Sequence, residues 1–257
     1  MDPSAWPTQP AAPSGIVGAM AESPRTRPLR VGHKGAALLA PGNTLASFRA
    51  ALAAGVDMIE FDVLSERTDG SGELLLAHDY EALGEGTPLT LAQGLAHLAG
   101  EEFAGVGFDV DVKIPGYGRR VVAALREAGL VERSLVSGMY VDELDAMRAL
   151  EPALRVGWSV PRLRRDYTTE MLTAIPALVI LSGYRALLPR RVRAALQAGR
   201  FDAIMAHWRL VTPALVRAVA DGGGELYAWT VDDAAQIARL TALGVDGIIT
   251  NDPRLFK

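Results

Sequence analysis

Short apolar strands separated by amphipathic helices recur along most of this chain, and that alternation restricts the fold more than any other feature. Strands are expected at residues 29–35, 58–64, 107–113, 134–137, 155–160, 203–208, 225–230 and 247–250. Helices are expected between them. One opens after Pro41-Gly42-Asn43-Thr44, with Asn43 or Thr44 as its cap, and stops at Gly55. Another starts from a capping box at Thr90 and Gln93 and runs to about Ala99. Further helices fit residues 118–128, 142–150, 212–220 (Thr212 as cap, Pro213 at the first helical position) and 233–243. The apolar run 177–181 is ambiguous between strand and helix, and is placed in a helical stretch between Thr168 and Gly199. Strand followed by helix, repeated, gives a parallel sheet. Eight such units in 257 residues fit a closed α/β fold, the TIM-type (β/α)8 barrel.

With 49% hydrophobic residues the chain supports one large core, so residues 29–257 are read as a single catalytic barrel domain. Residues 1–28, rich in Pro, Ala and Ser and without apolar periodicity, are read as a flexible tail. The stretch 15–21 is too short for a signal core and follows no basic cluster. A net charge of -4 and a pI near 5.6 provide no basic field for nucleic acid. The absence of cysteine excludes disulfides and thiolate metal sites and is compatible with a cytoplasmic location. No apolar run approaches the ~18 residues of a membrane span. Nothing in the sequence fixes an oligomeric state.

In a barrel of this kind the chemistry gathers at the C-terminal ends of the strands. His33, Glu60, Asp62, Asp111, Lys113, His207 and Trp229 all fall there. Glu60 and Asp62, two apart on a strand, project from one face. They are either two solvated acids at a strand end or the oxygen ligands of a divalent cation such as Mg2+ or Ca2+, which would relieve their mutual repulsion. Asp109, Asp111 and Lys113 share a face in the same way, and a short extended run delivers His78. A histidine at a strand end is equally well a hydrogen-bonded structural residue. His97 falls on a helix and reads as surface; Arg162, Arg164 and Arg165 read as a solvated loop face.

Taken in order, these residues resemble the glycerophosphodiester phosphodiesterases, whose sequences run His-Arg-Gly, Pro-Glu-Asn-Thr, Glu-x-Asp, His-Asp and Glu-x-Lys. Here the series is His33-Lys34-Gly35, Pro41-Gly42-Asn43-Thr44, Glu60-Phe61-Asp62, His78-Asp79 and Asp111-Val112-Lys113. Trp229-Thr230-Val231-Asp232 and residues 244–251 are similar to the family's closing motifs. The resemblance implies a barrel of the PLC-like phosphodiesterase type acting on a small-molecule phosphodiester with a divalent metal, Mg2+ or Ca2+. It implies Glu60, Asp62 and Asp111 as metal ligands and His33 and His78 as catalytic histidines, here taken as base and acid; Asp109 is read separately as a carboxylate behind the ligands rather than one of them. Lys34 and Lys113 are implied beside the phosphate and Trp229 at the substrate wall. The expected reaction yields sn-glycerol 3-phosphate and an alcohol. A lysophospholipase D-like activity, or a catalytically weak barrel that binds phosphodiester or metal, is the alternative. Four departures stand out: Lys34 for arginine, Gly42 for glutamate, Asp111 for glutamate, and a short stretch from His78 to Asp111.

Overall fold

The computed structural model describes residues 26–161 and 174–256. The expectations for residues 1–25, for 15–21 and for Arg162, Arg164 and Arg165 fall outside them.

Eight strands form a closed parallel barrel: β1 (Leu29–Gly32), β2 (Met58–Ser65), β4 (Gly107–Val112), β5 (Ser134–Gly138), β6 (Arg155–Val160), β7 (Ala203–His207), β8 (Glu225–Trp229) and β9 (Gly247–Thr250). Neighbours pair in sequence order around the ring, and β1 closes it by pairing with both β9 and β2. The remaining strand, β3 (Leu74–Leu75), runs antiparallel to the end of β2 outside the ring. The short extended run expected to deliver His78 therefore forms strand only at Leu74–Leu75. Helices follow as α1 (Leu45–Ala53), α2 (Leu91–Leu98), α3 (Gly118–Glu127), α4 (Val141–Leu150), α5 (Ala174–Gln197), α6 (Pro213–Asp221) and α7 (Ala234–Leu243). Residues 177–181 lie in α5, as expected, and β9 is followed by a 3-10 turn. No helix among the described residues is long and apolar enough to cross a membrane.

The helix starts follow the sequence closely because side chains satisfy the first free N–H groups. Thr44 caps α1 and Thr90 caps α2, each in a reciprocal capping box. Thr212 and Asp233 cap α6 and α7. Period-two alternation then divides the apolar residues between two cores. Ile59, Phe61 and Val63 of β2 face outward into the layer between sheet and helices. Met58 faces inward with Val31, Leu135, Met205 and Tyr227, filling the barrel. Tyr227 needs the space beside Gly247, where a Cβ would lie 2.2 Å from the ring. Its hydroxyl donates to Glu225, which also accepts from Arg155 at 2.5 Å. These side chains plug the barrel interior, and in such a barrel the chemistry gathers at the C-terminal mouth.

Candidate active site

Parallel pairing in register builds the centre of the site. Glu60 of β2 stands opposite Asp109 of β4, and Asp62 opposite Asp111. Strand spacing of about 4.8 Å brings these inward carboxyl groups together, and ligand oxygens of Glu60, Asp62 and Asp111 lie within 4.8 Å of one another. Glu60, Asp62 and Asp109 are buried. Burial, then the Asp62 charge, drives the Glu60 carboxyl well above the carboxylate range. Burial also works to raise Asp62, but Lys113 and His78 outweigh it and hold Asp62 well below that range. Lys113 touches Asp62 and sits 2.5 Å from Asp111. Burial would strip its proton, yet Asp111 and Asp62 raise its pKa instead. Lys113 is thus both counter-ion and part of the cleft wall.

The loop after β1 carries His33 and Lys34. Lys34 and Asn43 are left-handed, at φ 51° and 59°, an uncommon region for residues other than glycine. The turn is held because Lys34 N–H donates to Glu60 Oε2 at 2.7 Å, while Ser47 Oγ donates to the Lys34 carbonyl at 2.8 Å. Asn43 does not cap α1; Thr44 does. The Asn43 side chain instead clamps Asp62, donating to Oδ2 at 2.9 Å and accepting from the Asp62 backbone N–H at 3.1 Å. Gly42 has no positive φ; a Cβ there would lie 2.9 Å from the Lys34 Cβ. It makes room for the lysine stem.

His33 Nδ1 meets Asn251 Oδ1 at 2.7 Å, and its Nε2 lies 3.8 Å from Glu60 Oε2. The Asn251 amide nitrogen donates to Asp232 at 2.6 Å, so its oxygen is the acceptor and His33 Nδ1 is the donor. In the neutral ring Nε2 is then a free base. Burial pushes His33 down to about 4, opposed by Asp62 and assisted by Lys34. His78 reaches in from the far side, its Nδ1 3.3 Å from Asp62 Oδ2 and its side chain 47% exposed. His33, Lys34, Glu60, His78, Asp111, Lys113 and Trp229 all line one cleft of about 250 Å3. Asp62 lies beneath it, completely buried.

Other histidines sit elsewhere. His207 caps a 3-10 turn through Arg209 N–H and packs edge-on against Trp229 at 5.3 Å, supporting the cleft wall from behind. The Trp229 indole donates to the Met205 carbonyl at 2.8 Å. His97 is not a surface residue: its side chain is 13% exposed and packs edge-on to Phe103. Helical position alone gave no sign of the loop that covers it. Asp109 lines the cleft beside Ser137, outside the three-carboxylate group, and burial followed by Asp111 pushes it up to about 8.

A family model described as glycerophosphoryl diester phosphodiesterase matches residues 33–89, and a second model of the same description matches residues 225–254. These stretches hold His33, Glu60, Asp62, His78, Trp229 and Asn251. Over these two stretches the chain resembles the glycerophosphoryl diester phosphodiesterase family. A glycerophosphodiester phosphodiesterase of Caldanaerobacter subterraneus subsp. tengcongensis is 26% identical, over 88% of this chain and 94% of that protein. A crystal structure from Silicibacter pomeroyi superposes with TM-score 0.72 at 21% identity, covering 94% of this chain and 96% of that one. An Oleispira antarctica phosphodiesterase solved with the product sn-glycerol-3-phosphate gives TM-score 0.61 at 19% identity, with 89% and 94% covered. This family's barrel is the fold seen here.

The donor set fits a hard divalent cation. It is all oxygen, as Mg2+ and Ca2+ prefer. Asp109 Oδ1 is buried without a hydrogen-bond partner, and Asp62 Oδ1 has the Lys113 ammonium against it; Lys113 faces Asp62, Asp109, Asp111 and Glu60 together. Sequence reasoning gave no role to Asn251 and Asp232 and left Asn43 between a helix cap and a motif residue without a contact. All three are polar residues at strand or loop ends within the motifs, and that position was the available signal.

Proposed function

We propose that this chain hydrolyses glycerophosphodiesters to sn-glycerol 3-phosphate and an alcohol, using Mg2+ or Ca2+ bound by Glu60, Asp62 and Asp111. The observation that carries the proposal is the convergence of those three carboxylates, from two adjacent strands, between two histidines in one cleft. Bound there, a divalent cation supplies Lewis acidity that neutralises charge on the phosphoryl oxygens. Lys34 and Lys113 add positive charge on the same side. His33 Nε2, unprotonated because Asn251 holds the proton on Nδ1, takes the proton from the attacking hydroxyl, which is either water or a neighbouring hydroxyl of the substrate whose cyclic phosphate water then opens. His78, oriented by Asp62, gives a proton to the departing alkoxide. Trp229 forms the wall against which the substrate lies. Residues 29–257 form one catalytic domain in this reading. A cytoplasmic setting belongs to it too, since a chain without cysteine asks nothing of an oxidising compartment.

The test is a matrix of Mg2+, Ca2+ and chelator against glycerophosphocholine and lysophosphatidylcholine. Hydrolysis of glycerophosphocholine with metal, abolished by chelator, is the expected result. Preference for the lysophospholipid would move the substrate class, and no turnover in any cell of the matrix would overturn the reading.

A further inference from the structure

A second cavity, of about 460 Å3, opens at the same end of the barrel. It lies where β4 and β5 run into α3 and α4, and Met139 lines both this cavity and the reaction cleft. Pro115, on its wall, is two residues beyond Lys113, a span of about 7 Å at most. The lining combines three aromatic rings, Tyr140, Trp158 and Tyr184, with the carboxylates of Asp142 and Glu143. No lysine or arginine is among the described lining residues.

Two of these parts are held in place. Trp158 packs against Phe201 with ring centroids 5.6 Å apart and the planes tilted by 31°. Glu143 Oε1 accepts from the Gly118 N–H at 2.6 Å, fixing the carboxylate at the start of α3. Asp142 is exposed at the start of α4. Burial raises the Tyr184 phenol, which keeps its ring neutral.

Aromatic faces attract cations through the ring quadrupole, and quaternary ammonium groups are the ligands that such rings hold best. Two carboxylates add a matching field. An anionic headgroup would face the Asp142 and Glu143 carboxylates, with no lysine or arginine among the described lining residues to offset them. An acyl chain would have to desolvate the two carboxylates without compensating them. We propose that this cavity is the headgroup subsite, taking an ammonium alcohol such as choline or ethanolamine while the phosphate occupies the adjoining cleft. The inference rests on the diesterase reading and specifies its substrate class.

Two measurements on the full chain test it. The first is kcat/KM for glycerophosphocholine relative to that for the uncharged-headgroup diester glycerophosphoglycerol, with lysophosphatidylglycerol as a third substrate. Tyr184→Ala and Asp142→Asn should each lower the choline-to-glycerol ratio by roughly threefold to thirtyfold. An unchanged ratio in both variants overturns the proposal. So does an equal loss with lysophosphatidylglycerol, which would make the occupant an acyl chain. The second is calorimetric titration of choline alone, with glycerol as the uncharged control. Choline should bind the parent chain and bind both variants several-fold more weakly; affinity equal in all three proteins overturns the proposal. Should no diester turn over, the diesterase reading falls, and the choline titration alone decides the subsite.

Discussion

Asn251 Oδ1 stands 2.7 Å from His33 Nδ1, and Asp232 holds the Asn251 amide through its side-chain nitrogen at 2.6 Å and its backbone N–H at 2.8 Å. A carboxylate at the rim thereby fixes an amide, and the amide fixes which ring nitrogen of His33 carries the proton.

That chain of contacts has a direct consequence. Asn251→Ala should lower kcat by about tenfold to a hundredfold, the usual effect of losing an outer partner of a site residue, with KM changed much less. NMR of the imidazoles should show His33 as the neutral Nδ1–H tautomer down to about pH 5, far below histidine's ordinary titration. Burial supplies the sign, because it disfavours the imidazolium. A His33 that titrates near its ordinary value, or an unaltered kcat in the variant, would contradict the assignment.

His33→Ala and His78→Ala should each reduce turnover by about 10²–10⁴-fold. His78 is half exposed, so its loss should leave the melting temperature nearly unchanged. Steady-state rates and thermal melts on the two variants check this. Near-normal turnover in either makes that histidine structural.

Asp109 provides a pH test of stability in chelator. Its folded pKa is pushed up to about 8, chiefly by burial and then by Asp111, against about 3.9 when unfolded. A raised carboxyl favours folding while it is protonated, and that contribution fades as pH rises between those two values. Relative to Asp109→Asn, the parent chain should therefore lose stability steadily from about pH 4 to pH 8. Parallel denaturation curves for the two proteins across that range would show that Asp109 is not buried as a neutral acid.

Gly42 tests charge against space. Gly42→Glu would place a carboxylate near Glu60, Asp62 and Asp111 and should tighten cation binding. Any Cβ there presses on the Lys34 stem, so Gly42→Ala should disturb the lysine without adding charge. Metal titrations of both variants separate the effects. Equal shifts would leave Gly42 as a packing residue alone.

Much of this was legible in the sequence because local rules acted alone. Thr44, Thr90, Thr212 and Asp233 each announce a helix start, and period two sorted Glu60 and Asp62 from Ile59 and Phe61. Long-range contacts were not legible. Asn43 reads as a cap until Asp62 is seen 2.9 Å from its amide. Asn251 meets His33 only because β1 and β9 pair to close the barrel. His97 looks exposed until Phe103 folds over it. The left-handed turn at Lys34 depends on bonds to Glu60 and Ser47, which are distant in the chain.

Glu60, Asp62 and Asp111 are proposed to hold a divalent cation that the chemistry requires. The most direct measurement is release of sn-glycerol 3-phosphate from glycerophosphocholine by metal-stripped chain titrated with Mg2+ or Ca2+, beside Asp62→Asn. The stripped chain should be inactive and recover saturably with added cation, and the variant should not recover. Full activity in chelator, or phosphocholine in place of sn-glycerol 3-phosphate as the phosphorylated product, would contradict that proposal.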